Sequence, residues 1–281
     1  MRFLCLHGKG TSAAIFKTQT ATFRYKLDDS ITFEFVDGLF PSEPAPDVSY
    51  FYAPPYYAWW EGNNTPASVR TSHTWLLSKL ARDGPYDGVL LFSQGCSVIA
   101  SFLLYHQATN PTSPPPFKVA IFICGGIPLP ILEDLGANVS QKAHDWDQKT
   151  RVLLREKNTD AVAILSAGHD RWGSSAKDDT AEKAESNDPG AIMNNPHDVF
   201  GLDTTQFSEQ SKIQIPTVHI YGAKDPRRPA SLQLACLCRA EVRKTYDHGG
   251  GHDIPRRKDI SEAIAELVGW SVKMAEGDEG I

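Results

Sequence analysis

The stretch 86-YDGVLLFSQGCSVIA-100 decides the fold. A short run rich in Val, Leu and Phe leads into Ser93, Gly95 follows two places later, and Val98, Ile99, Phe102 and Leu103 then begin an apolar pattern of helical period. A buried strand turning sharply into a buried helix around a serine is the signature of a nucleophile elbow, G-x-S-x-G. The residues beside the serine must be small so that strand and helix can approach closely. Gly95 meets that need, and Cys96 and Ser97 are small as well. Leu91 stands where the first glycine would be and asks for room on the neighbouring strand or a small shift of the turn. S-x-G alone fits an ordinary strand-to-helix turn equally well, so the assignment depends on the rest of the chain.

Outward from this stretch, short apolar runs at Phe3–Leu6, Ile31–Val36, Val89–Phe92, Val119–Cys124, Val218–Tyr221 and Val242–Tyr246 are bounded by turn residues. They read as strands of one mostly parallel sheet, because helical patterns lie between them. The clearest helix is predicted from about Pro66 to Asp83, with Val69, Leu76, Leu77 and Leu80 on one face, Thr65 as its cap and Gly84-Pro85 as its stop. A last helix is predicted near Asp259 to Met274, with Ile260, Ile264, Leu267 and Met274 on one stripe. No internal repeat is visible. One segment breaks the alternation: from roughly Leu129 to Lys212 (129–212) the chain turns polar and turn-rich, as in 168-GHDRWGSSAKDDTAEKAESNDPGAIMNNPHDVFG-201. So long a departure within an α/β domain predicts an inserted lid or cap over a site; a tolerated surface excursion is the alternative.

Composition narrows the classes of function. With 281 residues, 41% of them hydrophobic and 22% charged, the chain can bury a full core as one large α/β domain. A formal charge of −6 argues against nucleic acid as a partner, which calls for a basic face. The cysteines, Cys5, Cys96, Cys124, Cys236 and Cys238, are odd in number and three lie in apolar runs, which points to reduced core thiols of an intracellular, cytoplasmic protein. The start, MRFLCLHGKG, has one basic residue, Arg2, before its first glycine and too short an apolar run for a signal peptide or membrane span. The sequons 63-NNT and 138-NVS are therefore expected to be silent.

Three further motifs give Ser93 its context. The loop 7-HGKGTS-12 follows the first buried strand, and its glycines free backbone N–H groups to face an anionic oxygen. The donors expected are those of Lys9 and Gln94. A phosphate loop is excluded, because G-x-x-x-x-G-K-[ST] is absent. The stretch 218-VHIYGAKDPRRP-229 is a strand whose end presents Asp225, and 246-YDHGGGHDIPRR-257 sets two histidines on a glycine loop after the final strand. A serine hydroxyl becomes a nucleophile only when an imidazole accepts its proton, and a carboxylate must fix the tautomer of that imidazole. Asp225 is the best-placed acid. Asp253 neighbours the base too closely in sequence, and Asp170 and Asp203 lie in the polar segment. Of the histidines, His252 is preferred as base, with His248 as a loop brace or an exposed residue. The order Ser, Asp, His is that of the α/β hydrolases. No metal is expected, since the glycines of 248-HGGGH-252 oppose the helix that i, i+4 ligation needs. Cys96 lies inside the helix and is not read as the nucleophile.

Taken together, LCLHGKGTS near the start, 54-PPYYAWWEG-62, 92-FSQG-95, 221-YGAKDP-226 and 250-GGHDIP-255 resemble the FSH-type family of serine hydrolases, over nearly the whole chain apart from the polar segment. The resemblance implies an α/β-hydrolase fold, with a mostly parallel central sheet flanked by helices. It also implies a catalytic triad of Ser93, Asp225 and His252 that needs no cofactor. The family includes thioesterases that release acyl chains from carrier proteins of fungal polyketide synthases, beside esterases. The expected substrate is thus an acyl thioester or ester, with an acyl carrier domain as a candidate partner. A small-molecule carboxylesterase and a non-hydrolytic binding or cyclase-like protein are the alternatives. The aromatic run 50-YFYAPPYYAWW-60 offers Tyr56, Trp59 and Trp60 as an acyl-binding wall or as packing. Arg227-Arg228 and Arg256-Arg257-Lys258 follow the acid and the base and predict a basic rim suited to an acidic carrier.

Overall fold

The apolar runs gather into one sheet. In a computed structural model that describes residues 1–156 and 189–277, the elements in chain order are β1 (Arg2–Leu6), α1 (Ala13–Gln19), α2 (Ala21–Arg24), β2 (Thr32–Val36), β3 (Phe40–Pro41), α3 (Val48–Phe51), β4 (Tyr57–Ala58) and α4 (Pro66–Asp83). They continue as β5 (Gly88–Phe92), α5 (Gln94–Thr109), β6 (Val119–Ile123), α6 (Leu129–Asp134), α7 (Gln141–Arg155), α8 (Pro189–Met193), β7 (Thr217–Tyr221), α9 (Arg228–Cys236), β8 (Arg243–Asp247) and α10 (Lys258–Glu276). Six strands pair in parallel in the order β2-β1-β5-β6-β7-β8, while β3 and β4 form a separate antiparallel pair. The chain winds one way from β1 to β2 and the other way from β5 onward. Such a reversal opens a crevice beyond the carboxyl ends of the strands beside it, here β1 and β5.

Strand side chains alternate between the two faces. Phe3, Cys5, Leu90 and Ile121 pack with Phe16 of α1, Phe23 of α2 and Ile260, Ile264 and Val268 of α10. Leu4, Leu6, Val89, Leu91 and Phe122 pack on the other side with Val69 and Leu76 of α4, Val98 and Ile99 of α5 and Ile131 of α6. Helices cover both faces, which is why these strands read as continuous apolar runs.

Helix α4 spans the residues expected of it, and Thr65 caps it by accepting the Ser68 N–H at 3.2 Å. Its inner stripe differs in one place. Leu77 is exposed, and His73 takes its position beside Val69, Leu76 and a partly buried Leu80. His73 satisfies its ring nitrogen on Ser101 Oγ at 2.8 Å, which makes that burial tolerable. In α10, Val268 joins the expected stripe as a fully buried member, while Met274 is only half-buried.

Both ends of the 129–212 segment are packed. Leu129, Ile131 and Leu132 of α6 are buried, as are Val199 and Leu202, and Ile213 bridges to Cys238 beside the sheet. Ser140, the last residue of the second sequon, caps α7 by accepting the Ala143 N–H at 3.2 Å. Much of the polar run, with Asp170, lies outside the described residues. All five cysteines are buried and unpaired. Among the described residues no helix is long and apolar enough to cross a membrane.

Candidate active site

Ser93 sits between the end of β5 and the start of α5, at φ 49° and ψ −111°. That conformation is strained for a residue with a Cβ and persists only where the surroundings impose it. They do so here through the Ser93 N–H, which donates to the Ile123 carbonyl at 3.0 Å, and through contact with the end of β1. A Cβ on Gly95 would stand 2.3 Å from the Leu6 oxygen, and one on Gly8 would stand 2.8 Å from the Phe92 ring. Leu91 is absorbed without disturbing this turn. It pairs in register with Leu6 and Phe122 and is fully buried in the cluster that holds Cys96, Ala100 and Ala120.

The acid and base loops arrive from β7 and β8, strands adjacent in the sheet. They touch at Gly222, where a Cβ would lie 2.0 Å from the Gly250 oxygen, and the Lys224 N–H donates to that oxygen at 2.9 Å. This contact brings together three of the residues singled out above. His252 Nδ1 lies 2.8 Å from Asp225 Oδ2, and His252 Nε2 lies 2.9 Å from Ser93 Oγ. A carboxylate only accepts, so Nδ1 carries the hydrogen and Nε2 is left to accept from the serine hydroxyl. The other oxygen of Asp225 accepts the Arg227 N–H at 2.7 Å. Burial pushes the Asp225 carboxyl up, but the His252 imidazole and the Arg227 N–H outweigh it and hold the group below the ordinary carboxylate range.

The remaining candidates stand outside this relay. Asp253 is exposed, and Asp203 caps the turn at Thr204–Gln206. His248 is buried, its Nδ1 accepting the Gly250 N–H at 3.2 Å and its own N–H donating to the Tyr221 carbonyl, so it braces the glycine loop. Lys9 and Gln94 line the same cavity as Ser93 and His252. The neighbouring Gly10 N–H is spent on the Tyr57 carbonyl at 2.9 Å.

That cavity, of about 780 Å³, runs between the 42–52 loop and the C-terminal end of α7. Of the three aromatics expected in its wall, Trp60 lines it. Trp59 does not: it is fully buried, packs its ring at a tilt against Trp75 and donates its indole N–H to the His7 carbonyl at 2.8 Å. Tyr56 is buried too, its hydroxyl donating to the Tyr52 carbonyl at 2.6 Å. Phe51 and Tyr52 of the same run face the cavity instead. The basic rim also changes. Arg227 is turned inward onto Asp147, and Arg257 pairs with Asp259, while Arg256 contacts the Tyr52 hydroxyl.

Two residues with no obvious mark in the sequence complete the site. His7 accepts the Gly38 N–H on Nε2 at 2.8 Å and bonds the Gly8 carbonyl through Nδ1 at 2.7 Å, which requires the neutral tautomer. Burial pushes its pKa down to about 4, so the ring stays neutral and pins the loop that carries Lys9. Cys124, at φ 48° on the end of β6, places its thiol so that the ligating atoms of Cys124, Asp225 and His252 all lie within 4.8 Å of one another. That is metal-ligand spacing, but both ring nitrogens of His252 are engaged, and burial and Asp225 push the thiol pKa well up. A protonated thiol is a poor ligand.

Comparison with known proteins agrees with this architecture. The family described as serine hydrolase (FSH1) matches residues 1–264. The chain is 30% identical over 275 residues to esterase FPY3 of Fusarium mangiferae, covering 95% of this chain and 97% of that one. It is likewise 30% identical over 287 residues to esterase alnB of Emericella nidulans, covering 98% of each, and 30% identical over 280 residues to hydrolase FUB4 of Fusarium oxysporum, covering 95% and 97%. With a parallel six-stranded sheet bearing a serine at the β5 turn and a match that runs through nearly all of its length, the chain belongs to the FSH1 serine hydrolase family and is an enzyme of the α/β-hydrolase fold.

Proposed function

We propose that this hydrolase cleaves acyl thioesters and esters through an acyl-enzyme on Ser93, and that its principal substrate is an acyl chain carried as a thioester on the phosphopantetheine arm of a carrier domain, as in polyketide release. The observation that carries the chemistry is the relay of 2.9 Å and 2.8 Å from Ser93 through His252 to Asp225 at the wall of the 780 Å³ cavity. In this mechanism His252 Nε2 takes the Ser93 proton as Oγ bonds to the acyl carbon, and the Asp225 carboxylate stabilises the imidazolium. The N–H groups of Lys9 and Gln94 receive the oxyanion, and His252 then protonates the leaving thiolate or alkoxide. A water activated by the same imidazole attacks the ester in the second half-reaction and restores Ser93. The 129–212 segment acts as the lid, with α7 as the wall that meets the acyl chain.

A second reading, a carboxylesterase for small molecules using the same residues, draws on the relatives named as esterases. The chemistry is tested with a fluorophosphonate probe: the folded protein should be labelled at Ser93, and Ser93→Ala should lose both label and turnover. Near-normal turnover by a clean Ser93→Ala preparation would refute the mechanism, since loss of a triad member leaves only about 10³–10⁴-fold over water. Intact-mass analysis of an acyl-loaded carrier domain, run beside an oxygen ester of matched chain length, separates the two substrates. Faster cleavage of the free oxygen ester would favour the second reading.

A further inference from the structure

Arg227 stands two residues after the acid, yet its side chain leaves the loop and lies against α7 with 12% of it exposed. Its Nη2 donates to Asp147 Oδ1 at 2.8 Å, and its Nη1 donates to Thr150 Oγ1 at 2.8 Å and to the Asp147 carbonyl at 3.1 Å. Arg151, one turn further along α7, holds the other oxygen of Asp147 at 2.6 Å. The same Arg227 gives its main-chain N–H to Asp225 Oδ1, the oxygen that His252 leaves unused. Just beyond the clamp on α7, Leu153 and Leu154 line the cavity.

We propose that Arg227 is a positioning residue that couples the α7 wall of the cavity to the carboxylate of Asp225. The inference rests on the reading of Ser93, His252 and Asp225 as the catalytic relay. Its physical basis is the shape of the guanidinium: a planar fork with three bonds to one helix fixes angle as well as distance, which a point charge does not. The guanidinium is fixed on α7 by three bonds and the main-chain N–H on Asp225 by a fourth, so the one residue ties α7 to the acid loop at both of its ends. An acyl tail resting on Leu153 and Leu154 thereby holds the Arg227 N–H in line with Asp225. Arg227 thus belongs to the site through its main-chain N–H as well as through its place in the cavity wall.

The test is Arg227→Met, which removes the clamp but leaves Asp147 paired with Arg151, so no buried carboxylate is orphaned. Active sites are counted by fluorophosphonate labelling, so that rates refer to competent molecules, and p-nitrophenyl acetate is compared with p-nitrophenyl decanoate. We expect kcat to fall about tenfold or more on both esters, the scale of a misplaced catalytic group, while KM rises for the decanoate alone. Arg227→Lys should recover part of kcat, and Thr150→Val should shift both quantities in the same direction by less. If kcat and KM per labelled site stay within roughly twofold of the parent for both esters, the coupling is overturned even where Tm has dropped, and Arg227 is merely structural. If the parent itself is not labelled at Ser93, the relay reading fails and takes the coupling with it.

Discussion

The backbone of Gly95 lies against the carbonyl of Leu6, so closely that a methyl group at Gly95 would stand 2.3 Å from that oxygen. The elbow therefore depends on the glycine after Ser93 far more than on the position before it. Gly95→Ala should push α5 away from β1, misplace Ser93 and abolish labelling by a fluorophosphonate. Leu91→Ala removes a fully buried side chain and should cost about 2–5 kcal/mol in urea unfolding, yet the molecules that remain folded should label at the parental rate. A Gly95→Ala protein that labels normally would show that the turn has slack and that the close approach is not what holds Ser93.

The two histidines of the glycine loop should separate cleanly. His252 contacts both Ser93 and Asp225, so His252→Ala should lower kcat/KM by about 10³-fold or more. His248 hydrogen-bonds main-chain groups of its own loop and of β7. His248→Ala should lower Tm and leave most of kcat. Steady-state kinetics with an ester and a thioester, beside thermal unfolding, decide it; a larger kinetic loss in the His248 variant would move the base to that residue.

Acid should destabilise the fold before most carboxylates titrate. Burial pushes His7 and His73 down to about 4 and His219 down to about 3. Unfolded, each returns to about 6.5, so between the two values the unfolded chain binds more protons than the folded one. Their contribution is complete above pH 6.5 and is lost as pH falls toward 4, at up to about 1.4 kcal/mol per pH unit for each ring. Urea midpoints at pH 7, 6 and 5 should fall accordingly. His219 stacks on Phe122 and its ring bonds Thr217 Oγ1 at 3.2 Å, so His219→Phe should flatten the slope. A slope unchanged in that variant would show that His219 does not carry its share.

The strands, α4 and the Ser, Asp, His order were legible because each has a local cause: a run of β-branched and aromatic residues, a cap with its proline, or a turn that ends a strand. What was not legible is set by packing between distant segments. Leu77 and His73 are four residues apart and share one side of the helix, yet the polar one is buried and the apolar one exposed, because α5 supplies Ser101 as a partner for the imidazole. Trp59 and Trp60 are adjacent, and their partners separate them: the Trp59 indole N–H donates to the His7 carbonyl in the core at 2.8 Å, while Trp60 lines the cavity and donates its indole N–H to Asn64 at 2.9 Å. Arg227 read as a surface charge because nothing near it in sequence announces Asp147, eighty residues upstream.

That last correction redraws the charges available to a carrier domain. Arg227 is spent on α7, so reversing it would damage the acid loop and lower activity on every substrate. The cations left outside the cavity beside the base are Arg256, Arg257 and Lys258, all exposed, with Arg257 held by Asp259 at 2.7 Å and Lys258 only 3.9 Å from Glu262. Exposed pairs of this kind contribute little to stability, so their removal should leave the fold intact. Their field still reaches an approaching acidic partner, and at 0.1 M salt it extends about 10 Å. Charges that steer a partner act on the association rate more than on the bound complex. The triple reversal Arg256→Glu, Arg257→Glu and Lys258→Glu should therefore lower kcat/KM for a carrier-bound thioester at low salt, and the difference should shrink at 0.5 M salt. Hydrolysis of a small neutral thioester should hardly change. Equal losses on both substrates would mean that the base loop has been disturbed, and no loss on either would remove these three residues from any role in docking.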